Sequence, residues 1–267
     1  MPVSKHIILL TALCSTFFFA SAQKEWKGWA SAGLTLSFTR KLDLRLNHLR
    51  SYSLNNSVEN GFNQTSASVN YNLTRKLSLL GGAMLTSFPS SLSESPKRVY
   101  ARASYKIRLA QLLNWSNGVQ AEYHSSAETR FRYRFIYITR LSNRKEIPFL
   151  RLTLTTAYWL YYNQGGNQIR YFDKTGLVVT RHSPDGLHRG RLYLAAASKV
   201  ARGLTVSLFY MQQNEFNLLS SEFRQMNVTN PATGKITRPF DSYRVAGLNL
   251  LYDINLYPSH NKKSAQH

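Results

Sequence analysis

The sequence predicts an all-β fold, a single transmembrane antiparallel β-barrel of about 12 strands, with 10 strands as the alternative. Apolar and polar residues alternate with a period of two in many segments, and no segment has a convincing helical periodicity. These segments run for roughly 10 to 13 residues, which suits a tilted strand that crosses a bilayer in about 9 to 11 residues. Short turns alternate with longer polar stretches, as in barrels with short periplasmic turns and longer extracellular loops.

Residues 1–22 are predicted to be a secretory signal peptide that is cleaved after Ala22. Lys5 and His6 precede the apolar run "IILLTALCSTFFFA", and small residues lie just before the cleavage site. The run is too short for a membrane anchor, which needs about 20 apolar residues. Because Cys14 is removed with the signal peptide, the mature chain is predicted to contain no cysteine and no disulfide.

Residues 23–256 are predicted to form the barrel, and residues 257–267 are predicted to form a polar C-terminal tail. The alternation is clear in about 11 segments of the barrel region. A twelfth candidate strand lies between Gln168 and Thr180, and the even strand numbers that single-chain bacterial barrels generally have favour including it. The positions predicted to face lipid include Leu34, Leu36, Val69, Tyr71, Phe131, Tyr133, Phe135, Tyr137, Leu208 and Leu250.

The connections between these segments are of two kinds. "FTRKLDL" and "LTRKLSL" contain nearly identical tight turns at residues 39–41 and 74–76. The longer polar stretches include "SLNNSVENG", "PSSLSESPK" and the segment from Gln212 to Phe240. In a transmembrane barrel this pattern indicates that the tight turns lie in the periplasm and the longer loops outside the cell.

The segment "RFRYRFIYITR", residues 130–140, interleaves arginines with aromatic residues. An arginine that faces lipid near the midplane costs about 2 to 4 kcal/mol, so we predict that the aromatic side chains face lipid and the arginines face the lumen. A regular hairpin would place Glu122 opposite Arg132, and His124 opposite Arg130. The residues predicted to face the lumen and its anions are Arg102, Lys106, Arg108, Glu122, Arg130, Arg132 and Arg134.

The chain is strongly basic, with 34 Lys and Arg residues against 13 Asp and Glu residues. Such an excess of positive charge indicates an acidic partner. Because the chain is predicted to be exported to the bacterial outer membrane, we expect no nucleic-acid partner. The expected partners are outer-membrane lipid, including lipopolysaccharide, and an anionic solute. No cofactor is expected, and the sequence specifies no protein partner.

Three functions are compatible with this pattern. The first is a narrow anion-selective pore, or a pocket for an anionic ligand, because rings of cationic side chains select anions. The second is a closed structural or interaction barrel, in which the arginines form hydrogen bonds across a lumen filled by side chains. The third is a lipid-modifying enzyme of the outer membrane.

The enzyme hypothesis depends on one compact group of residues, His124, Ser125 and Ser126, with Asn114 or Glu122 nearby in the sequence. A histidine beside a serine is the arrangement that activates a serine nucleophile when a third group orients the histidine.

Two further histidines, His182 and His188, flank the sequence "SPDGL". They lack a third ligand in the sequence pattern, and a protein zinc site uses at least three. No metal site is therefore predicted.

Four features together resemble a known family. They are the first strand "EWKGWASAGLTLSF" with its tryptophans, the turns marked by Lys and Arg, the central strand "RFRYRFIY", and the late hairpin "GRLYLAAASKVARGLTVSLFYM". The mature chain is similar to the bacteroidete outer-membrane barrels grouped as domain of unknown function 2490. The resemblance implies a Gram-negative outer-membrane β-barrel of unassigned function, and it brings no catalytic residue with it.

Overall fold

The structure is a computed structural model that describes residues 25–54, 59–89, 94–109, 112–218, 221–237 and 239–257. The predicted signal peptide, its cleavage site after Ala22 and the tail from residue 258 onward lie outside these residues. No helix in the described ranges is long and apolar enough to cross a bilayer.

The described residues form thirteen strands and two single-turn 3₁₀-helices, Phe149–Arg151 and Glu222–Arg224. The strands are β1 (Glu25–Ser37), β2 (Leu42–Ser53), β3 (Glu59–Asn72), β4 (Leu77–Ser87), β5 (Lys97–Leu109), β6 (Leu113–His124), β7 (Tyr133–Asn143), β8 (Leu152–Gln164), β9 (Ile169–Phe172), β10 (Val178–His182), β11 (Gly186–Ala201), β12 (Leu204–Glu215) and β13 (Tyr243–Asn255). The all-β fold predicted from the sequence is confirmed.

Eleven of the strands in the described chain form one closed barrel, in the order β1 to β8 and then β11, β12 and β13. Neighbouring strands are antiparallel except at the closure, where β13 pairs in parallel with β1 from Glu25–Tyr243 to Ser37–Asn255. The parallel closure follows from the odd number, because eleven strands of alternating direction leave the first and last pointing the same way.

The twelfth strand predicted between Gln168 and Thr180 is not part of the barrel wall. Strands β9 and β10 fall in this region, but they pair only with each other and form a separate two-stranded sheet. Strand β8 instead pairs directly with β11. The described barrel therefore has eleven strands, which is close to the predicted number of about 12, but the even number expected of single-chain bacterial barrels does not hold for it.

The two kinds of connection lie at opposite ends of the barrel, which we call the short-turn end and the loop end. At the short-turn end, the Oγ1 atoms of Thr39 and Thr74 accept hydrogen bonds from backbone N–H groups two and three residues later. These bonds explain why the two turns have nearly the same sequence, since a threonine at this position stabilises a tight turn. The loop end carries the connections at residues 125–132, 165–185 and 216–242.

Side chains alternate between the two faces of the wall, with the apolar residues outside. Val69 is 47% exposed and Leu208 is 66% exposed, whereas the adjacent Ser68 and Ser207 are buried inside the barrel. This arrangement is the reverse of a soluble sheet, in which the apolar face is the buried one. The exposed apolar residues of the wall include Val69, Tyr71, Leu79, Leu85, Val99, Tyr105, Val119, Tyr123, Tyr133, Phe135, Tyr137, Leu154, Tyr162, Leu208, Leu248, Leu250 and Tyr252.

Candidate functional site

A buried carboxylate, Glu122 on β6, is the centre of a polar cluster on the inner face near the loop end. Its Oε2 atom lies 3.5 Å from Arg134 Nε, 3.1 Å from His124 Nε2 and 3.9 Å from Arg98 Nη1. Its Oε1 atom accepts a hydrogen bond of 2.6 Å from Gln120 Nε2. We call these five residues the loop-end network. Two features of the strands bring these residues together. Alternate residues of β6 share the inner face, and Arg134 of β7 pairs directly with Glu122.

Arginines of β11 extend this cluster around the barrel. Arg189 forms an ion pair with Glu215, and Arg191 Nε donates a hydrogen bond of 2.7 Å to Gln213. The guanidinium carbons of both arginines lie 5.7 and 5.0 Å from the ring centroid of Tyr161, in the range of cation–π contacts. The residues predicted from the sequence to face the lumen do not include Arg189 and Arg191. Their spacing of two residues along β11 is the signal that would have placed both on one face.

An apolar cluster of Phe131, Met226 and Phe240 packs against the network from the loop end. Phe131 is 2% exposed, and the Arg134 guanidinium carbon lies 4.5 Å from its ring centroid. Arg130 lies over the Phe240 ring at 4.9 Å. The described side chains at this end of the lumen are therefore packed on one another, with guanidinium groups stacked between aromatic rings.

The loop before β7 contains an ion pair of its own, in which Arg130 Nε lies 2.9 Å from Glu128 Oε1. Burial on its own would raise the pKa of Glu128, but the hydrogen bond and the positive charge of Arg130 outweigh it and hold this pKa below its usual value. Arg130 is thus paired with a carboxylate of its own loop.

Two adjoining cavities lie inside the barrel between the loop-end network and the short-turn end, and we call them together the short-turn chamber. Their volumes are about 340 Å³ and about 250 Å³, and Leu80 and Arg102 line both. The polar residues that line the chamber are Ser31, Arg45, Asn47, Ser66, Ser68, Asn70, Lys76, Ser78, Tyr100, Arg102, Ser104, Lys106, Ser116, Asn117, Arg140 and Asn249.

Three arginines of the chamber, Arg45, Arg102 and Arg140, come from three different strands. Arg140 interacts electrostatically with both of the others. Arg102 Nε donates a hydrogen bond of 2.8 Å to the amide oxygen of Gln120, which is neutral. Within the described ranges, no carboxylate lies within ion-pair distance of these three guanidinium groups. Like charges that share a cavity without a carboxylate at ion-pair distance favour the binding of an anion.

The residues predicted to share one inner wall are distributed over several places. Arg102 and Lys106 line the short-turn chamber. Glu122 and Arg134 belong to the loop-end network, and Arg130 lies in the loop. Arg108 is exposed at the short-turn end of β5 and lines neither cavity of the chamber.

The placement predicted for Arg132 and Phe131 is wrong. Arg132 is exposed, and its Nη1 atom lies 3.4 Å from the hydroxyl group of Tyr123 on the outer face. Phe131 is buried at the loop end and does not face lipid. The reason is that β7 begins only at Tyr133, so the residues before it do not follow the alternation of the strand.

The predicted pairing of Glu122 with Arg132 and of His124 with Arg130 is also wrong. Glu122 pairs with Arg134, and the N–H of His124 donates to the carbonyl oxygen of Arg132 at 2.9 Å. The register differs from the prediction by two residues because the connection between β6 and β7 is longer than a regular hairpin.

The residues of the enzyme hypothesis are not assembled into a reacting group. The ring of His124 points to Glu122 and lies edge-on to Phe131, with ring centroids 5.0 Å apart. Ser125 Oγ accepts a hydrogen bond of 3.0 Å from the N–H of Lys97. Asn114 lies at the opposite end of β6 from His124. The histidine and its neighbouring serine therefore have separate structural partners.

The two histidines that flank "SPDGL" lie within hydrogen-bond distance of backbone oxygens. His182 Nδ1 lies 3.1 Å from the carbonyl oxygen of Gln225, and His188 Nε2 lies 2.8 Å from that of Asp185. In the part of the chain that the structure describes, no group of three His, Cys, Asp or Glu residues could hold a metal ion.

No protein-family model and no curated protein matches the sequence. Among solved structures, the chain is similar to the NanC porin in a rhombohedral crystal form. The TM-score is 0.43 at 12% sequence identity, over 85% of this chain and 98% of the porin chain. A similarity of this size supports no inference about function, and the resemblance to the bacteroidete barrel family remains a prediction.

Proposed function

We propose that this chain is an outer-membrane β-barrel that binds small anions in its short-turn chamber and acts as a narrow anion-selective pore. The observation that carries the proposal is the set of three arginines, Arg45, Arg102 and Arg140, which line the chamber without a carboxylate partner among the described residues. Arginine suits this role because its planar guanidinium group binds carboxylate or phosphate oxygens in pairs.

The outer face of the barrel supports a membrane location. The wall strands contain between 11 and 16 residues, which is sufficient for a tilted strand to cross a bilayer. Exposed aromatic side chains occur near both ends of the wall, as in the aromatic girdles of transmembrane barrels. Those near the short-turn end are Tyr71, Tyr105 and Tyr252, and those near the loop end are Trp26, Tyr123, Tyr133 and Tyr162.

Replacing Phe135 tests this orientation, because its side chain lies on the outer face and is 40% exposed. We expect Phe135→Arg to lower the free energy of unfolding by about 1 to 2 kcal/mol, which is less than at the midplane because Phe135 lies between the midplane and the loop-end aromatic residues Tyr133 and Tyr162. Urea unfolding of protein refolded into lipid vesicles measures the change, and Phe135→Leu is the matched control. Equal stability of the two variants would count against a lipid-facing position.

Planar-bilayer recordings of the refolded native protein test the pore. We expect small conductance steps, because the loop end of the lumen is packed with side chains. Under a salt gradient, the reversal potential should have the sign of an anion-selective pore, because the positive charges of the chamber concentrate anions. A cation-selective reversal potential would contradict the proposal.

A closed structural barrel is the second candidate function, and the loop-end network favours it. Glu122, Arg134 and Tyr161 are all buried, and their contacts join β6, β7 and β8 across the inner face. If the refolded protein does not conduct and anions do not bind to it, this second function replaces the first.

A further inference from the structure

The short-turn chamber has two chemically different walls. Its cationic wall contains Arg45 on β2 and Arg102 on β5, with Arg140 on β7 beside them. A second wall is aromatic, and its rings come from four other strands, β1, β8, β11 and β12. The aromatic residues are Trp29, Trp159, Tyr193 and Phe209.

Three rings of the aromatic wall, Trp159, Tyr193 and Phe209, contact one another in series. Trp159 and Tyr193 are stacked, with centroids 6.1 Å apart and an interplanar angle of 12°. Tyr193 and Phe209 follow with centroids 5.3 Å apart. A water-filled barrel lumen is normally polar, so a surface of this kind beside cationic groups indicates a ligand that has an apolar face.

We propose that the anion of the short-turn chamber is an aromatic monocarboxylate. The carboxylate would lie against Arg45 and Arg102, which line the larger cavity, and its ring would pack against Trp159 and Tyr193 in the same cavity. The larger cavity, about 340 Å³, lies within the range of pockets for small organic ligands. This inference rests on the proposed anion-binding function and adds the chemical class of the anion.

Three probes separate the contributions of charge and ring, namely acetate, benzyl alcohol and benzoate. Calorimetric titration of the refolded full chain in detergent micelles should give benzoate an affinity about five- to tenfold above that of acetate. Benzyl alcohol should not bind saturably, because it lacks the charge. Equal affinities of benzoate and acetate would overturn the aromatic class while leaving anion binding in place. Binding of neither anion, with no anion-selective conductance, would overturn the proposed function itself.

Two tyrosine variants distinguish the chamber from the micelle surface. Tyr193→Leu should reduce the affinity for benzoate to about that for acetate and leave acetate binding unchanged. Tyr137→Leu is the matched control, because Tyr137 lies on the outer face and is exposed. Far-UV circular dichroism and heat-modifiable gel mobility report whether each variant is folded. A similar loss of benzoate binding in both variants would place the binding outside the chamber and overturn the proposal.

Discussion

Glu122→Gln is expected to destabilise the protein by about 3 to 5 kcal/mol, because it would leave the buried guanidinium group of Arg134 without a carboxylate partner. The side chains of Glu122 and Arg134 are only 3% and 7% exposed, so water cannot replace the lost charge. The carboxylate also faces Arg98 and His124, which would lose the same partner. Urea unfolding of the refolded protein, followed by circular dichroism, measures the difference.

Two further variants test this explanation. Glu146→Gln removes a partly exposed ion-pairing carboxylate at the short-turn end, whose partners Arg151 and Lys199 are exposed, and should change the stability by less than about 1 kcal/mol. Adding Arg134→Met to Glu122→Gln should restore much of the lost stability, since the uncompensated charge is then removed with its side chain. A double variant as unstable as the single one would show that packing, and not charge, determines the effect.

The ion selectivity is expected to change most when the charge of the chamber is reversed. Arg102→Glu together with Arg140→Glu replaces two of its positive charges by negative ones, so the reversal potential should shift towards cation selectivity. The shift should decrease at high salt, because the Debye length falls to about 3 Å at 1 M. Planar-bilayer recordings in a salt gradient measure both effects.

Arg132→Glu is the matched control for this experiment. It reverses the charge of one arginine, as each of the two chamber substitutions does, but Arg132 is exposed and contacts Tyr123 on the outer face. Its reversal potential should therefore equal that of the native protein. If Arg132→Glu shifts the selectivity as much as the chamber variant, the chamber is not the selective part of the lumen.

The inner and outer faces of most strands could be predicted from the sequence. Ser68 and Val69, or Ser207 and Leu208, differ in burial because a strand directs successive side chains to opposite faces. This alternation is a local property, so each segment shows it without reference to its neighbours. For the same reason, Arg102 and Lys106 could be placed on the inner face before their partners were known.

The grouping of the arginines could not be predicted, because it depends on which strands are neighbours. Arg45 and Arg140 share the chamber with Arg102 although their strands lie far from it in the sequence. Arg189 and Arg191 meet Arg134 at Tyr161 only because β11 packs beside β8. These contacts exist only after the sheet has closed on itself.

The sequence by itself therefore determined the all-β class, the alternation of the faces and the positions of the tight turns, because each depends on a few consecutive residues. The tertiary structure alone decided the strand number, the parallel pairing of β1 with β13, and the register between β6 and β7. The number of strands and the parallel pairing of β1 with β13 depend on how the whole sheet closes into a barrel. The register depends on the path of a loop. Arg132 lies outside and Phe131 inside because both belong to this loop, and the alternation begins only at Tyr133, where β7 begins.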